Sequence, residues 1–174
     1  MQKPKSDLDR YIFCPQCSQK LVLKTIDKSV VKACENCDFI YWNNPIACVS
    51  VVLHQNDKVL MLQRANEPFK KFWVLPGGFM NINETPEEAI KREVKEETGL
   101  DIQVDGIVGA YRIDNDPRGI HIDIIYHGKL NGQSPTLNKE SGGWSLFSKE
   151  ELPIDIAYKH KNAIIDWLTK KGQY

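Results

Sequence analysis

Four of the five cysteines in this 174-residue chain lie in two C-x-x-C pairs, Cys14 with Cys17 and Cys34 with Cys37, separated by sixteen residues. This spacing is typical of a zinc site, in which each pair supplies two thiolates to one tetrahedral ion. Four thiolates leave no open coordination position, so we expect the ion to stabilise the fold and not to take part in chemistry. The alternatives are two disulfides, which a reducing compartment disfavours, and a redox dithiol, which needs only one pair.

The cysteine pairs define the smaller of two predicted domains. Between them, the alternating segment LVLKTIDKSVVKA predicts a β-hairpin. A segment of this size cannot fold on apolar burial alone, and a bound metal ion would supply the missing stability. Because the turn-forming residues Asn43, Asn44 and Pro45 come next, we predict a small β zinc ribbon over residues 1–42 and a larger domain over residues 43–174.

The strongest helix signal in the larger domain covers Thr85–Thr98. Thr85 suits the N-cap, Pro86 suits the first helical position, and Glu88 completes a capping box. Gly99 follows at the position where a left-handed residue commonly ends a helix. These signals predict both ends of the helix.

Strand patterns lie on both sides of this helix. Apolar runs rich in β-branched residues predict strands in the segments IACVSVVL, KVLMLQR, IQVDGIVGAYRI, IHIDIIYHGKL and WSLF. Cys48 lies in the first of them and is expected to be a small buried residue. An amphipathic pattern predicts a terminal helix over about Ala157–Lys170. The arrangement indicates an α/β layered fold.

The overall charge limits the partners that the chain can bind. Its 23 Lys and Arg residues balance its 23 Asp and Glu residues, so no chain-wide positive field is available to hold nucleic acid. The longest apolar run, Ile46–Leu53, is far shorter than the roughly 20 residues needed to cross a bilayer. The first residues, MQKPKSDLDRYIF, contain no apolar stretch typical of a secretory signal. We therefore expect a cytoplasmic protein that binds neither a membrane nor nucleic acid.

Three glutamates crowd one face of the predicted Thr85–Thr98 helix. Glu93, Glu96 and Glu97 project within an arc of roughly 100°, given about 100° per residue. Like charges at these spacings repel by about 0.2–0.5 kcal/mol per pair, so a compensating charge is expected. One source is a solvated acidic face with neighbouring cations, namely Lys91, Arg92 and Lys95. The other is a hard divalent cation, because Mg²⁺ and Mn²⁺ prefer carboxylate oxygens.

A glycine loop precedes the acidic helix and completes a larger pattern. It reads Pro76-Gly77-Gly78, and a backbone without side chains can approach a ligand closely. From Gly78 the spacing runs through five residues to Glu84 and through seven more to the stretch REVKEETGL. This pattern resembles, at every defining position, the signature box of the Nudix hydrolases. The four-cysteine segment resembles the zinc ribbon ahead of the box in a branch that includes ADP-ribose, FAD and NADH pyrophosphatases, and the two resemblances cover nearly the whole chain.

The resemblance implies a Nudix-type α/β/α sandwich with a mixed sheet and a Mg²⁺- or Mn²⁺-dependent hydrolase. Such enzymes use water to cleave a nucleoside diphosphate linked to another group. The implied metal ligands are the Gly78 carbonyl, Glu93, Glu96 and Glu97. Two further residues of the box have implied catalytic roles: Glu84 acts through the water around the metal, and Arg92 orients the glutamates.

The remaining site candidates lie outside the box. Glu140 is the candidate base, since its E-x-x-x-W spacing resembles that of some family members, and the alternative is a solvated loop glutamate. Substrate-binding candidates are side chains that can stack on a base or clamp a phosphate, although core packing and surface charge are alternative roles. They are Arg64, Phe72, Tyr111, Arg118 and Trp144.

The residues that come after the box bear on the substrate. NADH-specific members carry a motif resembling SQPW there, whereas this chain reads GAYRIDNDPRG, so ADP-ribose or FAD is the favoured nucleotide substrate. Alternative functions are housecleaning hydrolysis of nucleoside triphosphates, and binding of RNA or protein by the ribbon beside a vestigial box. Neutral net charge and an intact box disfavour the binding module. The resemblance also suggests a homodimer.

Overall fold

The computed structural model describes Leu8 and residues 11–170. The described residues divide into two compact units, those within 1–45 together with 117–119, and those within 46–116 together with 120–174. In the described part of the chain, no helix has the length and apolar character needed to span a bilayer.

The first unit contains a three-stranded antiparallel sheet and the cysteine pairs. Its strands are β1 (Val22–Ile26), β2 (Ser29–Ala33) and β3 (Ile40–Tyr41). The predicted hairpin is confirmed, and its two turn residues, Asp27 and Lys28, have φ values of 46° and 67°. Positive φ at both positions matches the twist of the flanking strands, which is why such two-residue turns are favoured.

The second unit is built on a mixed seven-stranded sheet. Its strands are β4 (Ile46–Gln55), β5 (Lys58–Arg64), β6 (Trp73–Val74), β7 (Gly77–Phe79), β8 (Gly106–Ile113), β9 (His121–Lys129) and β10 (Ser141–Phe147). The main order is β10-β5-β4-β9-β8, while β6 pairs with β5 and β7 pairs with β4. Strands β4 and β9 are parallel, and the other pairs of described strands are antiparallel.

Two helices cover the opposite faces of this sheet, α1 (Pro86–Thr98) and α2 (His160–Lys170). Strand β4 is buried on both sides because its alternate residues face different helices. Val51 lies in the core that contains Ile90 of α1, and Val52 lies in the core that contains Ile164 of α2. The predicted α/β/α sandwich with a mixed sheet is confirmed.

Helix α1 begins and ends where its sequence predicts. The Thr85 hydroxyl accepts a hydrogen bond from the backbone N–H of Glu88, and the Glu88 carboxylate accepts one from the N–H of Thr85 at 2.8 Å. Gly99 ends the helix in the left-handed region at φ 71°, and its N–H donates to the Lys95 carbonyl. Both caps are local, so they set the register of the helix independently of the sheet.

Helix α2 and strand β10 differ from their predicted bounds. The helix begins at His160 and not at Ala157, because Tyr158 has a φ of 59° and the N–H of Ala157 donates to the Trp73 carbonyl at 3.0 Å. The segment before the helix therefore bonds to the sheet and not to the next turn. Strand β10 is longer than predicted, because a bulge lets its two glycines join the strand.

The start of strand β8 and the burial of Cys48 also differ from the predictions. The strand begins at Gly106 and not at Ile102, because Ile102 and Val104 pack against the α1 core from an irregular segment. Cys48 is half-buried and not buried, and its thiol donates to the Ile122 carbonyl at 3.5 Å. Apolar residues predict burial at these positions, but they do not predict a strand or a fully enclosed side chain.

Truncating a buried residue of α1 tests its packing on the sheet. The substitution Ile90→Ala should lower the free energy of unfolding by about 2–5 kcal/mol, because it leaves a cavity in a fully buried position. The adjacent exposed substitution Lys91→Ala should change it by less than about 0.5 kcal/mol. Urea denaturation followed by circular dichroism measures both. Equal effects would contradict this packing.

Candidate active site

The glycine loop, Pro76-Gly77-Gly78, contains the first two residues of strand β7, and it meets helix α1 at two close contacts. The backbone N–H of Gly77 donates to Oε2 of Glu97 at 3.0 Å. A Cβ atom on Gly78 would lie 2.5 Å from the Glu93 carboxylate, so glycine is needed for this approach. Gly77 also has a φ of 150°, and a Cβ there would lie 2.1 Å from the Val49 carbonyl oxygen in β4. The loop is therefore packed between β4 and the carboxylates of the helix.

Arg92 connects the other carboxylates of the site. Its guanidinium binds Glu84 through two hydrogen bonds, Nε to Oε2 at 2.9 Å and Nη2 to Oε1 at 2.6 Å. Nη1 donates to Oε1 of Glu93 at 2.8 Å and to Oε2 of Glu96 at 3.3 Å. Nη2 also donates to the Phe79 carbonyl at 3.0 Å. One arginine thus orients three glutamates and holds the strand that contains the glycines.

Burial and crowding disfavour the charged forms of Glu93 and Glu97. Burial raises the pKa of Glu97, the charges of Glu93 and Glu140 add to this effect, and the hydrogen bond from Gly77 opposes it, which together give a pKa of about 8. Burial also raises the pKa of Glu93, although its hydrogen bond from Arg92 opposes the shift. By contrast, the hydrogen bonds from Arg92 lower the pKa of Glu84 to about 2. A cation near Glu93 and Glu97 would relieve their repulsion.

The donor set of this cluster fits a hard divalent cation. Glu93, Glu96 and Glu97 offer carboxylate oxygens from one helix face, and Arg92 provides less positive charge than they provide negative charge. Oxygen ligands of this kind suit Mg²⁺ and Mn²⁺. These residues could therefore hold such cations beside the glycine loop.

Glu140 comes to the same cluster from the loop before β10. Its carbonyl accepts from the N–H of Ala65 at 2.8 Å, and its own N–H donates to Oδ1 of Asn138 at 2.8 Å. The N–H of Asn138 in turn donates to the Glu97 carbonyl at 3.3 Å. Its charge raises the pKa of both Glu93 and Glu97.

Arg64 and Trp144 lie on paired strands of the same unit. Nε of Arg64 donates to the Pro68 carbonyl at 2.7 Å, and its guanidinium lies 5.7 Å from the centre of the Tyr158 ring. Its positive charge lowers the pKa of Glu97, so it acts on the carboxylate cluster. Trp144 lies opposite Leu62 in the pairing of β10 with β5 and is 37% exposed.

The other three substrate-binding candidates have different surroundings. Phe72 is half-buried and makes an edge contact with Phe69 in a small apolar cluster. Tyr111 packs on the α2 side of the sheet, where its hydroxyl donates to Oδ2 of Asp166 at 2.7 Å. Arg118 is exposed and belongs to the unit that contains the cysteines. Tyr111 is therefore not among the residues that meet at the glutamates of α1.

The sequence analysis does not predict a buried polar network of Ser50, Asp123 and His160 next to the glycine loop. Nδ1 of His160 accepts from the N–H of Leu75 at 2.9 Å, and its Nε2 lies 3.2 Å from Oδ2 of Asp123. The Ser50 hydroxyl donates to the same Asp123 oxygen at 3.0 Å. All three side chains are buried, and together they fix the backbone just before Pro76. Ser50 and Asp123 are polar residues inside segments that predict strands, and this is the sequence signal that could have indicated the network.

The four paired cysteines converge in the first unit. Their sulfur atoms all lie within 4.8 Å of one another, and the distances are 3.4 Å from Cys17 to Cys34 and 3.6 Å from Cys14 to Cys37. All four are free thiols. A tetrahedral ion with bonds of about 2.3 Å would separate its sulfur ligands by about 3.8 Å. The cluster could therefore hold a metal ion after small movements.

Comparison with known proteins agrees with this geometry. The family model described as the NUDIX domain matches residues 44–168, which include the whole sheet of the second unit. An ADP-ribose pyrophosphatase from Methanocaldococcus jannaschii is 33% identical over 150 residues, which are 86% of this chain and 88% of that protein. A MutT-like protein from Streptomyces ambofaciens is 30% identical over 129 residues, 74% of this chain and 80% of its own.

A solved structure extends the similarity to the fold. The crystal structure of a NUDIX hydrolase from Nitrosomonas europaea superposes with a TM-score of 0.78 at 26% identity. The match covers 92% of each chain.

Adding one methyl group to the glycine loop tests its contact with the helix. The substitution Gly78→Ala should turn the Glu93 carboxylate aside, because the new Cβ would lie 2.5 Å from it. The affinity for Mn²⁺ should fall at least about tenfold, as expected when a ligand loses its orientation. Titration followed by electron paramagnetic resonance measures the affinity, and thermal denaturation checks that the fold persists.

The substitution Gly143→Ala is the matched control. A Cβ at that position would have no neighbour within 4 Å, so Mn²⁺ affinity should not change. Unchanged affinity in Gly78→Ala as well would show that the loop contact does not orient a metal ligand.

Proposed function

We propose that this chain, which belongs to the NUDIX hydrolase family, cleaves the diphosphate of ADP-ribose with the help of divalent cations. Family membership makes it an enzyme that hydrolyses phosphoric anhydrides. One observation carries the proposal, the cluster of Glu93, Glu96 and Glu97 between Arg92 and the glycine loop. The functional groups of this cluster are carboxylates, which bind divalent cations. Their presence side by side favours metal-assisted hydrolysis.

The glutamates of α1 are the proposed cation ligands. Glu93, Glu96 and Glu97 would hold Mg²⁺ or Mn²⁺ together with the Gly78 carbonyl. Bound cations screen the charge of a diphosphate, stabilise developing charge on its oxygens and lower the pKa of coordinated water. Arg92 keeps Glu93 and Glu96 oriented, and the N–H of Gly77 orients Glu97.

Glu84 and Glu140 have separate proposed roles. Glu84 is a positioning residue, because its two hydrogen bonds fix the guanidinium of Arg92. Glu140 is the proposed general base, since its backbone is anchored to Ala65 and its carboxylate acts on Glu93 and Glu97. In that role it accepts a proton from the attacking water.

The reaction converts ADP-ribose and water into AMP and ribose 5-phosphate. The water oxygen forms a bond to one phosphorus atom as the bond from that phosphorus to the bridging oxygen breaks, and the water gives up a proton. The similarity to the ADP-ribose pyrophosphatase of Methanocaldococcus jannaschii favours this substrate over FAD. Arg64 is the proposed phosphate contact, and the partly exposed Trp144 ring is the proposed stacking surface for the base.

The cysteine cluster has a structural role in this proposal. Cys14, Cys17, Cys34 and Cys37 would bind one Zn²⁺, because thiolates select zinc over Mg²⁺. The apolar core around Leu21 in that unit is small, so we expect the ion to be needed for its fold.

Removing one carboxylate charge tests the metal-assisted reaction. The substitution Glu97→Gln should lower kcat for ADP-ribose with Mg²⁺ by at least about a hundredfold, because it removes a proposed metal ligand. The exposed substitution Glu87→Gln removes the same charge from the first turn of the helix and should leave kcat unchanged. AMP release measured by chromatography gives both rates.

The substrate assignment is tested in the same assay with the wild-type chain. ADP-ribose should be cleaved faster than FAD, NADH or nucleoside triphosphates, with AMP as one product. Turnover confined to triphosphates would contradict the ADP-ribose assignment and favour the housecleaning alternative. An active Glu97→Gln variant would instead contradict the proposed metal ligands.

Replacing one cysteine pair tests the structural zinc. The double substitution Cys14→Ser and Cys17→Ser should abolish stoichiometric Zn²⁺ binding by the cysteine cluster and lower the melting temperature of the chain, since two of four ligands are lost. Cys48→Ser, which changes the cysteine outside the cluster, should keep both. Elemental analysis and thermal denaturation are the measurements. A double variant that binds as much zinc per chain as the wild type and keeps its stability would refute the four-thiolate site.

A further inference from the structure

A third group of side chains that can bind metal lies near the C-terminal end of strand β4. His54, Asp105 and His127 each present a ligand atom, and these atoms all lie within 4.8 Å of one another. His54 is near the end of β4, Asp105 immediately precedes β8, and His127 lies in β9. The three residues are far apart in the chain, and the sheet brings them together.

Paired strands fix the positions of these residues. His127 pairs with Gly106 between β9 and β8, and the N–H of Asp105 donates to the His127 carbonyl at 2.8 Å. A Cβ on Gly106 would lie 3.0 Å from Nε2 of His127, so the glycine leaves space for the imidazole ring. The ring of His54 packs against Trp167 of α2 with centroids 4.7 Å apart.

The group lies on the opposite face of the sheet from the glutamates. His54 contacts α2, whereas Glu93, Glu96 and Glu97 belong to α1 on the other face. It therefore shares no ligand with the proposed catalytic cations. It also shares none with the cysteine cluster.

We propose that His54, Asp105 and His127 bind one divalent transition-metal ion, for which Zn²⁺ is the best fit. Two imidazoles and one carboxylate are a ligand set for zinc and other first-row transition metals, whereas Mg²⁺ prefers oxygen alone. Three protein ligands leave a fourth position for water or a small ligand. The buried His127 anchors the ion, and the exposed Asp105 gives it access from solvent.

Metal binding requires a modest contraction of the group. Tetrahedral bonds of about 2.0–2.1 Å place ligand atoms about 3.3 Å apart, which is closer than the 4.8 Å limit within which these atoms lie. His54 is half-buried and Asp105 is exposed, so both side chains have room to turn toward the fixed His127. The ion would then link residues in or next to three strands, β4, β8 and β9.

Zinc content measured in matched variants tests this site. Full-length protein is dialysed against buffered Zn²⁺ with excess Mg²⁺, which occupies oxygen-only ligands, and the bound zinc is counted by elemental analysis. His54→Gln and Asp105→Asn should each bind one ion fewer per chain than the wild type. The control Asp101→Asn removes the same charge from an exposed aspartate four residues earlier and should lose none.

Cobalt substitution keeps the two zinc sites distinguishable. Co²⁺ bound to thiolates gives an intense near-ultraviolet charge-transfer band, and this band should be unchanged in His54→Gln and Asp105→Asn. Only the weaker visible bands from nitrogen and oxygen ligands should fall. Thermal denaturation in chelator should give one cooperative transition for each variant, which confirms that they fold; His54→Gln should melt somewhat below the wild type because it loses the ring contact with Trp167.

Equal zinc content in the wild type and both variants would overturn the proposal. Loss of zinc in Asp101→Asn to the same extent would also overturn it, because the effect would then depend on net charge. The readout does not involve ADP-ribose hydrolysis, so its failure leaves the proposed function untouched.

Discussion

The site depends on the contact between the glycine loop and helix α1. Gly78 allows the Glu93 carboxylate to approach the backbone, and the N–H of Gly77 binds Glu97 directly. Neither contact survives a shift of the helix or of strand β7 by one residue. The pairing of β7 with β4 and the two caps of α1 prevent such shifts from opposite directions. The positions of Glu93 and Glu97 therefore depend on Gly77 and Gly78, which the sheet holds in place.

This contact concentrates negative charge in a partly buried place. Arg92 compensates for some of it and lowers the pKa of Glu84 strongly, but burial still raises the pKa of Glu93 and Glu97. Burial and mutual repulsion thus disfavour the charged forms of these two carboxyl groups, and a bound cation would favour them. A cation that binds only this folded arrangement also stabilises it, so catalysis and stability are expected to be coupled.

Local signals in the sequence predicted the parts of the fold that are themselves local. Thr85, Glu88 and Gly99 predicted both ends of α1, and the helical spacing of Glu93, Glu96 and Glu97 placed them on one face of it. The missed features join distant segments. His160 supports Leu75 across 85 residues, and the positive φ of Tyr158 shortens α2 because of a bond to the sheet. Periodicity carries no information about such partners, and it likewise offered no reason to expect Tyr111 beside α2.

Anomalous diffraction from crystals soaked with Mn²⁺ and a non-hydrolysable ADP-ribose analogue would show directly whether the glutamates of α1 hold the cations. We predict manganese peaks at about 2.0–2.2 Å from carboxylate oxygens of Glu93, Glu96 and Glu97, with the diphosphate bound to the same ions. Manganese bound elsewhere, with the three glutamates paired only to Arg92, would contradict this assignment.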